Sequence, residues 1–242
     1  MAKKDNVSPS RRQYLDIKKQ YQDTILFFRL GDFYETFDED AKLVSEELDI
    51  VLTGRNVGKG MRVPMAGIPY HAMENYISRL IDSGHHVAIC EQVGDTPVGG
   101  LMPREVVRIV TPGTIVEPGL LPGDANNYLV SVAVDDKRAG VAYVDITTGE
   151  YAATELSGPD ILTVLRGELI RLHPAETLLP DNLEIPENGL PGYQTRWPGW
   201  RFETGRCEEA IQGHFEVASL DGFGMRGQPL AIRAAGAILQ YL

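Results

Sequence analysis

Two side chains in the stretch Arg29-Leu-Gly-Asp-Phe-Tyr-Glu-Thr-Phe37 have types and a spacing suited to work on duplex DNA. Phe33 offers a flat apolar ring just after Gly31-Asp32, a sequence that turns a chain, and Glu35 places a carboxylate two positions on. A ring held at a turn can push between stacked bases, which is how inserted apolar wedges work. A carboxyl group beside it can then test the edge of the disturbed base. Base atoms N7 and N3 only accept hydrogen bonds, and so does an ionised carboxylate, so direct contact requires a protonated Glu35. Glu35 is therefore expected to be neutral when docked on a faulty step and to penalise intact duplex when charged. An isolated Phe-x-Glu is more often a core ring beside a solvated acid. The surrounding sequence has to separate the two.

The elements that must position this pair can be read from apolar periodicity. Ser8-Pro9-Ser10 opens a helix with Tyr14, Ile17 and Tyr21 on one face. Ile25 to Leu30 reads as a buried strand, followed by the Gly31-Asp32 turn, and 38–47 as a helix with Asp38, Glu39 and Asp40 in its first turn. Asp49 to Thr53 and Arg62 to Ile68 are expected strands, joined by a Gly-rich loop over 54–60. His71 to Ser83 is an amphipathic helix with Gly84 as its stop. Strands at Val87 to Val93 and Val106 to Val110 complete a mixed α/β unit. Residues 111–127, with three Pro and three Gly, form the natural boundary. Apolar runs at 128–134, 139–146 and 150–156 then read as an antiparallel meander. A helix over 160–172, a strand over 176–179, a loop rich in Pro and Gly, and two further helical stretches follow. Three meander strands and then alternation of helix and strand is the order of ribonuclease H-like folds.

Composition narrows the class. With 242 residues, 43% of them hydrophobic and 24% charged, the chain has the make-up of a globular protein of one large or two ordinary domains. No run approaches the ~18 apolar residues of a membrane span, and the start Met-Ala-Lys-Lys-Asp-Asn precedes no apolar signal segment. Cys90 and Cys207 lack metal-type spacing and fit a reducing, cytoplasmic setting. The net charge of −11 excludes a generic basic nucleic-acid binder. It is unevenly spread: residues 1–112 carry 14 Lys/Arg against 16 Asp/Glu, and residues 113–242 carry 9 against 18. Any DNA contact should therefore be local and lie in the first half.

The block 29–37 is followed in order by Val63-Pro-Met-Ala-Gly-Ile-Pro-Tyr-His71, Glu74-Asn-Tyr76, Val87-Ala-Ile-Cys-Glu-Gln92 and Val106-Val-Arg-Ile-Val-Thr-Pro-Gly-Thr114. Together these resemble the first domain of the MutS family of DNA mismatch repair proteins. The second half resembles the family's connector domain more loosely, through the meander, Leu220-Asp-Gly-Phe-Gly224 and the Ala234-Ala-Gly236 helix. The resemblance implies an α/β protein of two domains: a mixed-sheet mismatch-recognition domain over 1–114, a linker over 115–127, and a ribonuclease H-like connector domain over 128–242. It implies Phe33 and Glu35 as the mismatch-binding pair. Arg55, Lys59, Arg104 and Arg108 are candidates for the DNA backbone, and Met65, Pro69 and His71 for the groove. Between Asp95 and Arg104 the sequence Thr-Pro-Val-Gly-Gly-Leu-Met-Pro departs from the basic residues that relatives often carry, which weakens any backbone contact from that loop.

The family's further lever, clamp and nucleotide-hydrolysing domains imply that this chain is an N-terminal fragment. Gly58-Lys59-Gly60 is too short for a phosphate loop, so no ATP hydrolysis is expected; ATP and Mg would belong to a missing C-terminal domain. The implied partners are mismatched or looped duplex DNA, MutL through the connector domain, and a second copy in the full-length protein, with no membrane. Two rivals come from the residues. Asp135, Asp136 and Asp145 could form a two-metal nuclease site on the second domain, or that acidic domain could serve purely for protein interaction. His85-His86 with Cys90, as a metal set, and Cys207 with His214, as a nucleophile and base, are weaker and more simply read as structural.

Overall fold

The computed structural model describes residues 7–58, 60–94, 96–116, 121, 125–185 and 189–242. The chain divides into two compact units, Met1–Thr111 and Pro112–Leu242. This boundary falls slightly before the expected one, because the Gly113 amide donates 2.9 Å to Glu176 and so joins the second unit. Residues 117–120 and 122–124 of the expected linker lie outside the described residues.

In the first unit, α1 (Pro9–Lys18) starts at Ser8, whose hydroxyl oxygen accepts the Arg11 amide at 3.3 Å. Then come β1 (Ile25–Leu30), β2 (Phe33–Phe37), α2 (Asp38–Leu48), β3 (Thr53–Gly58), β4 (Met61–Pro69), a 3₁₀ turn at Tyr70–Ala72, α3 (Met73–Asp82), β5 (Val87–Gln92) and β6 (Arg104–Val110). They form one sheet in the order β3-β4-β2-β1-β5-β6, with β1 parallel to β5 and the other pairs antiparallel. β1 is buried from Ile25 to Phe28 because both faces of the sheet are covered, which is why it reads as an unbroken apolar run. On one face Tyr14 of α1 meets Phe28 and Phe37 edge-on, with ring centroids 5.6 and 4.9 Å apart. The alternate residues Phe27, Tyr34, Ala66 and Ile68 are buried on the opposite face, with α2 and α3 packed on the sheet.

Two local expectations fail here. Residues 54–58 are strand rather than Gly-rich loop, and 50–52 are not strand. Gly54, Asn56 and Gly58 have poor strand propensity, but their backbone pairs with β4 through a bulge at 56–58, and this pairing supplies the hydrogen bonds that propensity ignores. Asp49, expected to open the earlier strand, instead ends α2 in the left-handed region, at φ 53°.

The second unit holds β7 (Tyr128–Asp135), β8 (Arg138–Asp145) and β9 (Glu150–Ser157), an antiparallel meander, followed by α4 (Ile161–Leu172), β10 (Glu176–Pro180), β11 (Tyr193–Trp197), α5 (Thr204–Phe215) and α6 (Pro229–Tyr241). The order β11-β10-β7-β8-β9, with β10 parallel to both β7 and β11, is the ribonuclease H-like arrangement. β11 falls inside the stretch read as loop; its five residues are short and flanked by Gly and Pro. α4 covers Val130, Val132 and Val141 on one face, and α6 covers Leu129, Ala133 and Ala142 on the other. The small residues of α6 have a steric cause. A Cβ on Gly236 would lie 2.3 Å from Cys207 Cα in α5, and one on Gly140 of β8 would lie 1.9 Å from the Leu230 carbonyl oxygen.

Asp145 and Asp135 serve the turns they stand in. Asp145 is buried, and its Oδ1 accepts the Thr147 amide at 2.9 Å, the Thr147 hydroxyl at 2.6 Å and the Thr148 amide at 3.3 Å, while Oδ2 accepts the Asn127 amide at 3.3 Å. Burial works to raise its carboxyl, but these donors outweigh it and hold the group below the usual carboxylate range. Asp135 caps the hairpin turn, accepting the Asp136 amide at 2.7 Å. Among the described residues no three His, Cys, Asp or Glu side chains form a metal-sized group. Burial raises the Cys207 thiol to about 11, which suppresses the thiolate a nucleophile needs.

Gly236→Val should destabilise the second unit by about 3 kcal/mol or more by forcing α5 away from α6. Gly213→Ala, in α5 with nothing within 4 Å of the added methyl, should stabilise it by about 0.5–1 kcal/mol. Urea unfolding of both variants checks the pair. Asp145→Ala should cost about 1–3 kcal/mol at neutral pH by stranding buried donors. Because the folded carboxyl titrates below its unfolded value, this contribution is present above roughly pH 4 and fades as pH falls below it. The wild-type and variant unfolding curves should therefore converge in acid.

Candidate nucleic-acid interface

The position of Phe33 follows from a two-residue turn in the first sheet. β1 and β2 are joined by the two residues Gly31-Asp32, and Leu30 pairs with Phe33. Gly31 sits at φ 63°, where a side chain would be strained, as the first position of such a hairpin demands. The turn is held from behind. The Tyr70 amide donates 3.0 Å to the Asp32 carbonyl oxygen, and the Arg29 guanidinium lies 4.1 Å from the Tyr70 ring centre and 5.3 Å from that of Tyr34. Tyr34 itself is buried and donates its hydroxyl to Glu91. Burial first, and then the Glu91 carboxylate, push this phenol up to about 12, so it stays a donor. Arg29 and Tyr70 were not singled out from the sequence. The available signal was an arginine one residue before the end of an otherwise apolar strand that runs into the turn.

With Tyr34 fixed inward, alternation sends Phe33 and Glu35 to the other face. Phe33 is 48% exposed, so its ring is accessible to a partner and is not a core side chain. Directly paired residues share a face, which puts Leu30, Phe33 and Pro69 in one row and Phe28, Glu35 and Gly67 in the next. Pro69 therefore flanks Phe33. Exposed His71 lies two residues beyond it, its ring edge-on to Tyr70 with centroids 5.8 Å apart.

Glu35 is only 12% exposed and forms an ion pair with Arg55 of β3, whose side chain is 42% exposed. Gly67 lies directly across from it on β4, where an added Cβ would make ordinary contact, 3.5 Å from Glu35 Cγ. Two strands thus bring together residues 20 apart in sequence, an exposed cation gripping a nearly buried carboxylate beside an exposed ring.

The remaining candidates separate. Met65 pairs with Phe37, four residues along β2 from Phe33, and is half-buried against the α1-side core. Arg104, expected at the backbone, is drawn into the interior of the unit. It is 8% exposed and its guanidinium is already used: it donates to the Arg29 carbonyl oxygen at 2.8 Å, to Gln13 Oε1 at 3.0 Å and to the Met102 carbonyl oxygen at 3.1 Å, and lies 4.9 Å from the Phe28 ring centre. Reaching a phosphate would break three hydrogen bonds and open the α1–sheet contact. Arg108 is half-buried on β6, an edge strand three strands from β2. Lys59 lies outside the described residues. His85 Nε2 is 3.4 Å from Glu47, and Cys90 is buried, consistent with structural use of both.

Comparison with known proteins agrees with this division. The family model described as MutS domain I matches residues 8–118, and that described as MutS domain II matches residues 127–242. The DNA mismatch repair protein MutS of Dehalococcoides mccartyi strain 195 is 49% identical over 243 residues, covering 98% of this chain and 28% of the relative. That of Symbiobacterium thermophilum is 49% identical, covering 97% and 28%, and that of Roseiflexus castenholzii 41% identical over 300 residues, covering 95% and 28%. The chain thus spans a little over a quarter of these relatives' length. Among the described residues no helix is long and apolar enough to cross a membrane. With both domain models matched in order and nearly the whole chain aligned at 41–49% identity, the chain belongs to the MutS family and carries its domains I and II.

Proposed function

We propose that this chain is the sensing part of a mismatch repair protein, in which Phe33 enters the minor groove of duplex DNA at a mispaired or unpaired position. The observation that carries the reading is an aromatic ring left 48% exposed at the end of a rigid hairpin, beside a proline and a nearly buried carboxylate. Unstacking a step costs a few kcal/mol, least where pairing is already broken. Stacking on an aromatic ring returns about 1–3 kcal/mol per base. Recognition is then read as the cost of kinking and insertion, more through deformability than through a base code, so one ring serves many unlike mismatches. Glu35 would complete the contact by hydrogen bonding to the stacked base in its neutral form.

Pro69 and His71 flank Phe33 in this reading, and Arg55, paired with Glu35 and with a side chain 42% exposed, is the basic residue taken to reach a phosphate. The wider reading includes MutL as a partner of the second domain, dimerisation, and ATP and Mg in further domains of the whole protein; these rest on family membership alone. The metal-nuclease rival is not favoured, since Asp145 is committed to its turn.

Binding of the chain to a G·T duplex and to its matched control, at several salt concentrations, tests the reading. Phe33→Ala should lower affinity for the mismatch by about 1–3 kcal/mol, roughly 5- to 150-fold, and leave matched binding little changed. Equal loss on both duplexes would refute the wedge. Glu35→Gln should keep or strengthen binding while eroding discrimination; a Gln variant that binds both duplexes more weakly would refute the hydrogen-bonding role.

A further inference from the structure

We infer that Arg55 is a switched phosphate ligand, held by Glu35 in the free chain and released to the DNA backbone only when Glu35 engages a base. This rests on the reading that Glu35 meets the mismatched base. It is carried by the Arg55–Glu35 ion pair, in which the carboxylate is 12% and the guanidinium side chain 42% exposed. One carboxylate cannot both hold a guanidinium and, protonated, donate to a base acceptor. Docking Glu35 on a base, with a proton taken up from solvent, therefore frees Arg55, which stays a cation on β3 next to the polyanion. An arginine fork left without its carboxylate has phosphate oxygens as its best available acceptors.

The charged groups around the pair support an exchange within it. On α1, Arg11 is ion-paired with Asp38 at the start of α2, and Lys18 with Asp40 at 2.9 Å. On β1, Arg29 sits 3.7 Å from Glu91 of β5 and stacks on Tyr70. On β6, Arg104 is spent on backbone and Gln13 acceptors. Each of these cations has a partner that a faulty base would not displace. Arg55 alone among them is tied to the residue read as touching the base. On matched duplex, with no base for Glu35 to take, the pair stays closed and Arg55 contributes little backbone grip. Discrimination then includes one phosphate contact that is made only at a mismatch.

Counterion release makes this measurable, because each phosphate neutralised steepens the dependence of log affinity on log salt by about 0.9. The chain should be titrated with G·T and matched duplexes over a salt series, as wild type, Glu35→Gln, Arg55→Gln and the double variant. Wild type should show a steeper slope on the mismatch than on matched duplex, by about one phosphate, and Arg55→Gln should make the two slopes equal. Glu35→Gln should bind matched duplex severalfold more tightly, with a slope steeper by about 0.9, and adding Arg55→Gln should abolish both changes. If Glu35→Gln gains no affinity for matched duplex, or if its gain survives loss of Arg55, the switch is wrong. Phe33→Ala separates this from failure of the underlying reading. Loss of mismatch preference in that variant with no Arg55 dependence refutes the switch alone. No Phe33 effect refutes the wedge, while the matched-duplex comparison still decides whether Glu35 restrains Arg55.

Discussion

The first unit is organised by one constraint: β1 and β2 are buried through opposite faces of a sheet that is covered on both sides. Phe28 and Phe37 are locked under α1, and Phe27 and Tyr34 are locked on the other face. Strand side chains alternate, so fixing Tyr34 inward leaves Phe33 no choice of direction. The two-residue turn then places that ring at the sheet's end, where no core residue covers it. Exposure of a large aromatic usually costs stability. Here the neighbouring Tyr70 is exposed as well, and the core beneath both rings offsets the cost.

The same logic explains why the site is built on strands and not on a loop. Under the function proposed above, a ring that yields could not convert the stiffness of a base step into a difference in affinity. The turn is pinned by the Tyr70 amide, by Arg29 stacked between two tyrosine rings, and by the Tyr34–Glu91 hydrogen bond. Arg104, which pattern reading placed at the DNA, belongs to this support, tying β6 to β1 and α1. Its charge serves rigidity rather than reach.

The second unit uses similar economy for a different end. Its ribonuclease H-like sheet has acids at the strand ends, and the oxygens of Asp145 are taken by backbone amides and a hydroxyl of its turn, while Asp135 accepts the Asp136 amide and pairs with Arg138. The same fold can carry different chemistry, because function lives in side chains grafted on a fold and not in the fold itself. Close helix contacts through Gly140 and Gly236 make this unit a tightly packed body.

The sequence alone determined the elements set by strong local signals: β1 as an unbroken apolar run, α1 behind its Ser8 cap, and the 128–157 meander; it also marked Phe33 and Glu35 as the pair on which the proposed function rests. These were legible because apolar periodicity, capping residues and turn residues act over a few neighbours. Tertiary structure alone decided the rest. β3 and β11 form against weak propensity because a neighbouring strand supplies their hydrogen bonds. The Arg55–Glu35 pair and the withdrawal of Arg104 into the interior depend on contacts between residues 20 to 91 positions apart. Charge and identity are written in the chain, but whether an arginine faces solvent, a carboxylate or a carbonyl is fixed only when strands distant in sequence lie side by side.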